Sequence, residues 1–254
     1  MSSIHQQRFG AGKPIVLVHG WAMHGGIWRS FAEQLAEKYQ VICVDLPGHG
    51  NSQALQNFVL ADVSAAVVAA LAEPDACWLG WSLGTTVVLD IVDRYPERVN
   101  SLILLSGNPH FVQSPVWPGM AERVLDNFAA SLYKDCQITL MRFLSLQVNQ
   151  DLPEHKALLK ELRTAVLSCP APDFKTLLGG LQILKTADMR TSLAKANKPT
   201  AVILGDRDTL VPVAVGQAMQ SLAAIELHIL KKGGHVPFLS HARELREIIF
   251  RFLE

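Results

Sequence analysis

Cys77-Trp78-Leu79-Gly80-Trp81-Ser82-Leu83-Gly84-Thr85 decides how this chain is read. A short apolar run reaches Gly80, a serine sits between two glycines, and a helical stretch (85–93) follows. Strand, sharp turn and helix in that order are what a G-x-S-x-G nucleophile elbow requires. The turn forces Ser82 into a strained backbone geometry, and Gly80 and Gly84 leave room for neighbouring backbone to pass. The helix aims its first amides and positive dipole end at the point where an oxyanion would form.

Working outward, similar apolar runs recur: Ile15-Val16-Leu17-Val18, Val41-Ile42-Cys43-Val44, Leu102-Ile103-Leu104-Leu105, Ala201-Val202-Ile203-Leu204 and Leu227-His228-Ile229-Leu230. They are apolar throughout rather than alternating, which suits parallel strands covered on both faces. Helical stretches at 28–38, 60–71 and 85–93 separate the early runs, and a last one is expected near 243–252. The fold class is therefore α/β, a doubly wound, mostly parallel sheet. From 111 to 188 there is no such run. Helices are expected near 120–133, 136–147, 153–167 and 174–186, punctuated by Pro115, Pro118, Pro153, Pro170 and Pro172. The expected organisation is a core in two parts, 1–110 and 189–254, with a helical cap at 111–188.

Ligands of doubly wound sheets sit at the carboxyl ends of the strands, so candidate residues are sought just after each apolar run. A serine hydroxyl needs a base. Of nine histidines, His235 follows Gly233-Gly234 directly after the last run. His241 falls where the final helix begins, and His19 ends the first run, where it could fix the loop that follows. The base needs an orienting carboxylate. Leu204-Gly205-Asp206-Arg207-Asp208 offers two. Asp208, followed by Thr209-Leu210-Val211-Pro212, is the favoured partner, and Asp206 suits bonding to loop amides or pairing with Arg207. The oxyanion hole would use the amides of Leu83 and Trp21, the latter turned inward after Gly20.

The chain has 254 residues, 49% of them hydrophobic, with 23 Lys+Arg against 23 Asp+Glu. This is a core-forming composition, and its zero net charge argues against nucleic acid as the main partner. No apolar run is long enough for a signal peptide or a membrane helix, so a cytoplasmic location is expected. Cys43, Cys77, Cys136 and Cys169 are too dispersed for a zinc site or a disulfide scaffold and are expected as reduced thiols. No metal or organic cofactor is expected, and monomer is the default. Lys156, Lys160 and Arg163 have the spacing of one helix face; on spacing alone this is either a solvated face or a contact for an acidic partner.

The His19-Gly20-Trp21 loop, Asp45-Leu46-Pro47-Gly48-His49-Gly50-Asn51-Ser52, the elbow and the closing Gly-Gly-His together resemble the α/β-hydrolase superfamily along nearly the whole chain. The order Ser82, Asp208, His235 is the triad order of that superfamily. Trp78-Leu79-Gly80-Trp81-Ser82-Leu83-Gly84, Arg142-Phe143-Leu144-Ser145-Leu146-Gln147 and the segment from Gly179-Gly180-Leu181-Gln182 to Asp188-Met189-Arg190 look more narrowly like the BioH family. These are the pimeloyl-[acyl-carrier protein] methyl ester esterases of biotin synthesis. The resemblance implies a serine carboxylesterase that releases methanol from a carrier-bound methyl ester. It also implies a substrate site at Trp21, Ser82, Leu83, Phe143, Gln147 and His235, and an acyl carrier protein as transient partner. Arg142 matches one of the family's basic docking residues. Ile138, His155 and Leu159 stand where others would be, leaving Lys156, Lys160 and Arg163 as candidates to take over. The rivals are a broad short-chain carboxylesterase, a C–C hydrolase, a thioesterase, or a ligand-binding protein on the same scaffold.

Overall fold

The computed structural model describes residues 3–254. Seven strands form one sheet in the order β1 (Gln6–Phe9), β3 (Gln40–Val44), β2 (Pro14–Val18), β4 (Ala76–Trp81), β5 (Val99–Leu105), β6 (Thr200–Gly205) and β7 (Glu226–Leu230). Among the described residues, only β1 runs antiparallel in this sheet, against β3. The remaining pairs are parallel. The central strands are buried on both faces, as their unbroken apolar runs require. β7 departs from that expectation. It is the sheet edge, so Glu226 is exposed and His228 is half-buried against it, its Nε2 2.7 Å from Glu226 Oε1.

Helices α1 (Arg29–Leu35), α2 (Leu60–Ala69) and α3 (Leu83–Arg94) cover the first half of the sheet, and α11 (Ala242–Leu253) closes the chain. Two core layers result, one on each face of the sheet. Val16, Ile42, Trp78 and Leu102 point into one, together with α2 and α3. Leu17, Cys43, Leu79 and Ile103 point into the other, together with α1 and α11. Cys43 and Cys77 lie in this second layer, and burial raises both thiols, Cys77 to about 12. Cys136 and Cys169 are half-buried.

Between β5 and β6 the chain forms α4 (Glu122–Lys134), α5 (Cys136–Ser145), α6 (His155–Val166) and α7 (Phe174–Thr186), then the short α8 (Arg190–Lys195). Asp135 and Asp173 cap α5 and α7 by accepting the amides of Ile138 and Thr176, at 2.9 and 2.7 Å. The segment before α4 is held by Asn108. Its Oδ1 accepts Trp117 Nε1–H at 2.9 Å, and its Nδ2–H donates to the Pro118 carbonyl at 3.1 Å. The next helices, α9 (Val215–Gln220) and α10 (Pro237–Ser240), lie beyond β6 and β7. Among the described residues, no helix is long and apolar enough to cross a membrane.

Candidate active site

Ser82 stands between β4 and α3 with φ 57° and ψ −118°, a left-handed conformation costing about 1–3 kcal/mol in a non-glycine residue. The surrounding bonds hold it there. Its amide donates to the Leu105 carbonyl at 3.1 Å, and its carbonyl accepts Thr85 N–H at 2.9 Å. Thr85 Oγ1–H returns to the Gly80 carbonyl at 2.9 Å. A Cβ on Gly84 would collide with the Val18 carbonyl, so the elbow can pack on β2 only with glycine there. A Cβ on Gly20 would lie 3.1 Å from Ser82 Cβ, which puts the Gly20–Trp21 turn directly against the serine. Leu83 is the first residue of α3, so its amide has no intrahelical acceptor.

Beyond the strands on the other side, His235 Nδ1 lies 2.7 Å from Asp208 Oδ2, with both side chains buried. The ionised carboxylate can only accept, so Nδ1 carries the proton and Nε2 keeps its lone pair. Nε2 is buried and has no hydrogen-bond partner among the described residues. Asp208 Oδ1 accepts two further amides, Leu210 N–H at 2.8 Å and Val211 N–H at 3.0 Å, which fix the carboxylate plane. Asp206 takes the other place weighed for it: its Oδ1 accepts Lys232 N–H at 2.6 Å and ties the β6 loop to the β7 loop.

Ser82 opens onto a narrow apolar cavity of about 60 Å³. Trp21, Phe128, Phe143, Leu181 and Leu210 line it, and Val124 and Leu146 are partly exposed at its rim. Trp21 ties the loop after β2 to α5 and α7. Its Nε1–H donates to the Leu177 carbonyl of α7 at 2.8 Å, and its ring meets Phe143 edge-on at 5.0 Å. Gln147 is fully buried but is not part of the cavity wall. Its Nε2–H turns back to the Phe143 carbonyl at 3.2 Å, Oε1 has no partner among the described residues, and its backbone carbonyl accepts His235 N–H at 2.9 Å. Phe143 also lines a second cavity of about 40 Å³, together with Met23, Leu140, Leu144 and Val166.

The other histidines have different settings. His19 bridges the Gly20 carbonyl (Nδ1, 2.8 Å) and Leu46 N–H (Nε2, 2.9 Å), with burial holding it well below the usual histidine pKa. His49 is fully buried, its pKa pushed down to about 4 mainly by desolvation. The 45–52 turn is a hydrogen-bonded structural unit in which Asp45 accepts Gly25, Asn51 and His5 donors.

The basic residues divide into two groups. Arg142 and Arg163 line one groove between α5 and α6. Lys160 lines a different cleft, shared with Arg29 and His24, and Lys156 is exposed. One contact escaped the sequence reading. Trp81 is buried in the core and donates its Nε1–H to the His235 carbonyl at 2.7 Å.

The family model described as alpha/beta hydrolase fold matches residues 13–242, and the chain belongs to that family. Relatives narrow this further. The chain is 40% identical over 245 residues to a pimeloyl-[acyl-carrier protein] methyl ester esterase of Methylococcus capsulatus, covering 96% of each sequence. It is 37% identical over 256 residues to the protein of the same name from Serratia marcescens, covering 100% of this chain and 99% of that one. Among solved structures, an esterase from Exiguobacterium antarcticum superposes with a TM-score of 0.89 at 23% identity, over 99% of this chain and 95% of its own. A Bacillus anthracis bromoperoxidase also gives 0.89, at 24% identity, over 99% of this chain and 95% of its own. At those identities the likeness is one of fold.

Proposed function

We propose that this protein is a serine carboxylesterase that hydrolyses the methyl ester of pimeloyl-[acyl-carrier protein] methyl ester, releasing methanol and the free terminal carboxylate for biotin synthesis. The end-to-end identity with esterases of that name carries the substrate assignment. The Asp208–His235 contact and the strained elbow at Ser82 support the chemistry.

His235 Nε2 takes the proton of Ser82 Oγ as that oxygen attacks the ester carbonyl. The amides of Trp21 and Leu83 stabilise the tetrahedral oxyanion. Collapse breaks the bond to the methoxy oxygen, which leaves as methanol with the proton held on Nε2. Water, deprotonated by the same nitrogen, then attacks the acyl-serine. The acyl carbon–Oγ bond breaks as Ser82 takes back the proton from Nε2, and the product acid leaves and loses its own proton to solvent as the carboxylate. Asp208 stabilises the imidazolium in both halves.

Residues 111–188 act as the cap. Phe143 with Trp21 forms the wall against which the acyl chain packs, and Gln147 shapes that wall through its bond to the Phe143 carbonyl. Arg142 and Arg163, paired in one groove beside an exposed Ile138, provide the stronger anchor for an acidic carrier, with Lys156 and Lys160 as outer contacts. The test of the chemistry is a fluorophosphonate. A single adduct on Ser82 by mass spectrometry, lost together with esterase activity in Ser82→Ala, is expected. Full activity in that variant would remove Ser82 as nucleophile.

A further inference from the structure

The turn that carries His235 is held from outside the sheet. Asn149, buried between α5 and α6, donates Nδ2–H to the Lys232 carbonyl at 3.0 Å. Its Oδ1 accepts Asp151 N–H at 3.0 Å, an Asx turn that fixes the side chain's direction. Two residues earlier, the Gln147 carbonyl accepts His235 N–H. A Cβ on Gly234 would lie 2.8 Å from Asn149 N, so the two segments are in backbone contact. Lys232 itself has φ 63°, a conformation that a lysine keeps only when its peptide groups are restrained.

We infer that Asn149 is a positioning residue for His235: its amide, with the Gln147 carbonyl, locks the 232–235 turn so that Nε2 is held toward Ser82. The inference rests on the serine-esterase function proposed above. Lys232 is restrained at its N–H by Asp206 and at its carbonyl by Asn149. His235 is restrained at its N–H by Gln147 and at its carbonyl by Trp81. Only the Asn149 contact can be removed without touching the acid loop or the core. A displacement of about 1 Å in a catalytic group can cost on the order of 100-fold in rate. The segment that holds His235 also continues directly from Phe143 and Leu146 on the cavity wall, so the base and the pocket share one support.

The experiment uses two variants. Asn149→Ser keeps an acceptor for Asp151 N–H but is too short to reach Lys232. Asn149→Asp keeps the acceptor and loses the N–H donor. Each is assayed for kcat and KM on a small methyl ester, for the rate of fluorophosphonate labelling of Ser82, and for Tm. Both variants are expected to lose about tenfold in kcat and in labelling rate, with KM changed less than about twofold. Wild-type labelling rates in either folded variant, whatever its Tm, would overturn the inference and leave the esterase intact. Absence of labelling in the wild-type protein would overturn the serine-esterase assignment, and the inference with it.

Discussion

Asp208 Oδ2 lies 2.7 Å from His235 Nδ1, and neither side chain is open to solvent. That contact fixes which imidazole nitrogen is free to act as a base. Asp208→Asn would present an amide where the carboxylate stood and favour the wrong tautomer. A fall in kcat of about three to four orders of magnitude is expected, with the fold retained. Asp206→Asn leaves the His235 contact in place and should keep activity within about tenfold. Esterase assays on the two purified variants, with circular dichroism as the folding check, distinguish the two aspartates. Equal losses would contradict the assignment.

Phe143 lines both the cavity at Ser82 and the second cavity beside it. Phe143→Ala should join the two and relax the limit on substrate size. Activity on esters with longer or bulkier acyl groups is expected to rise relative to methyl pimelate. The variant also loses the edge-on packing of Phe143 against Trp21, worth about 1 kcal/mol beyond simple burial, and with it part of the wall that methyl pimelate would pack on. A panel of p-nitrophenyl esters of increasing chain length reads this directly. An unchanged chain-length profile would show that Phe143 does not divide the space.

Two buried histidines make stability depend on pH. Burial lowers the pKa of His49 to about 4 and that of His19 well below its ordinary value. In the unfolded chain both would titrate near 6.5. Between pH 6.5 and 4 the unfolded state therefore binds more protons than the folded one. Stability from these groups is full above pH 6.5 and is lost as pH falls through that window. For His49 alone the loss is on the order of 3 kcal/mol at pH 4. Urea midpoints should be flat from pH 8 to 7 and fall steadily from pH 6.5 to 4.5. A flat midpoint across the acidic range would contradict the buried, neutral state of these rings.

The groove holding Arg142 and Arg163 should matter only when the ester is carrier-bound. Arg142→Glu is expected to lower kcat/KM about tenfold for the carrier-bound ester at low salt, with the difference shrinking as salt rises. The carrier-free ester should be unaffected. Equal effects on both substrates would place Arg142 in the folding of α5 rather than at a docking surface.

Much of this arrangement was legible in the sequence because central parallel strands advertise themselves as apolar runs and end in functional loops. Ser82, Asp208 and His235 each follow such a run directly. β1 was not legible: Gln6, Gln7 and Arg8 carry no apolar run, and the strand exists because β3 offers an edge for it to pair with. β7 misled in the opposite way, since an apolar run does not reveal that a strand is last in the sheet. The six-residue helices α8 and α9 are too short to show a helical period. The supports of His235 were out of reach for a different reason. Asn149 meets Lys232 across 83 positions and Trp81 meets His235 across 154, and no local pattern encodes such contacts.

Methanol release from methyl pimeloyl-acyl carrier protein, measured beside the same methyl ester without its carrier, tests the proposed function most directly. A kcat/KM at least about tenfold higher for the carrier-bound ester, abolished in Ser82→Ala, is the expected result. Equal turnover of both esters would contradict the carrier-dependent role and leave a general carboxylesterase built on the same three residues.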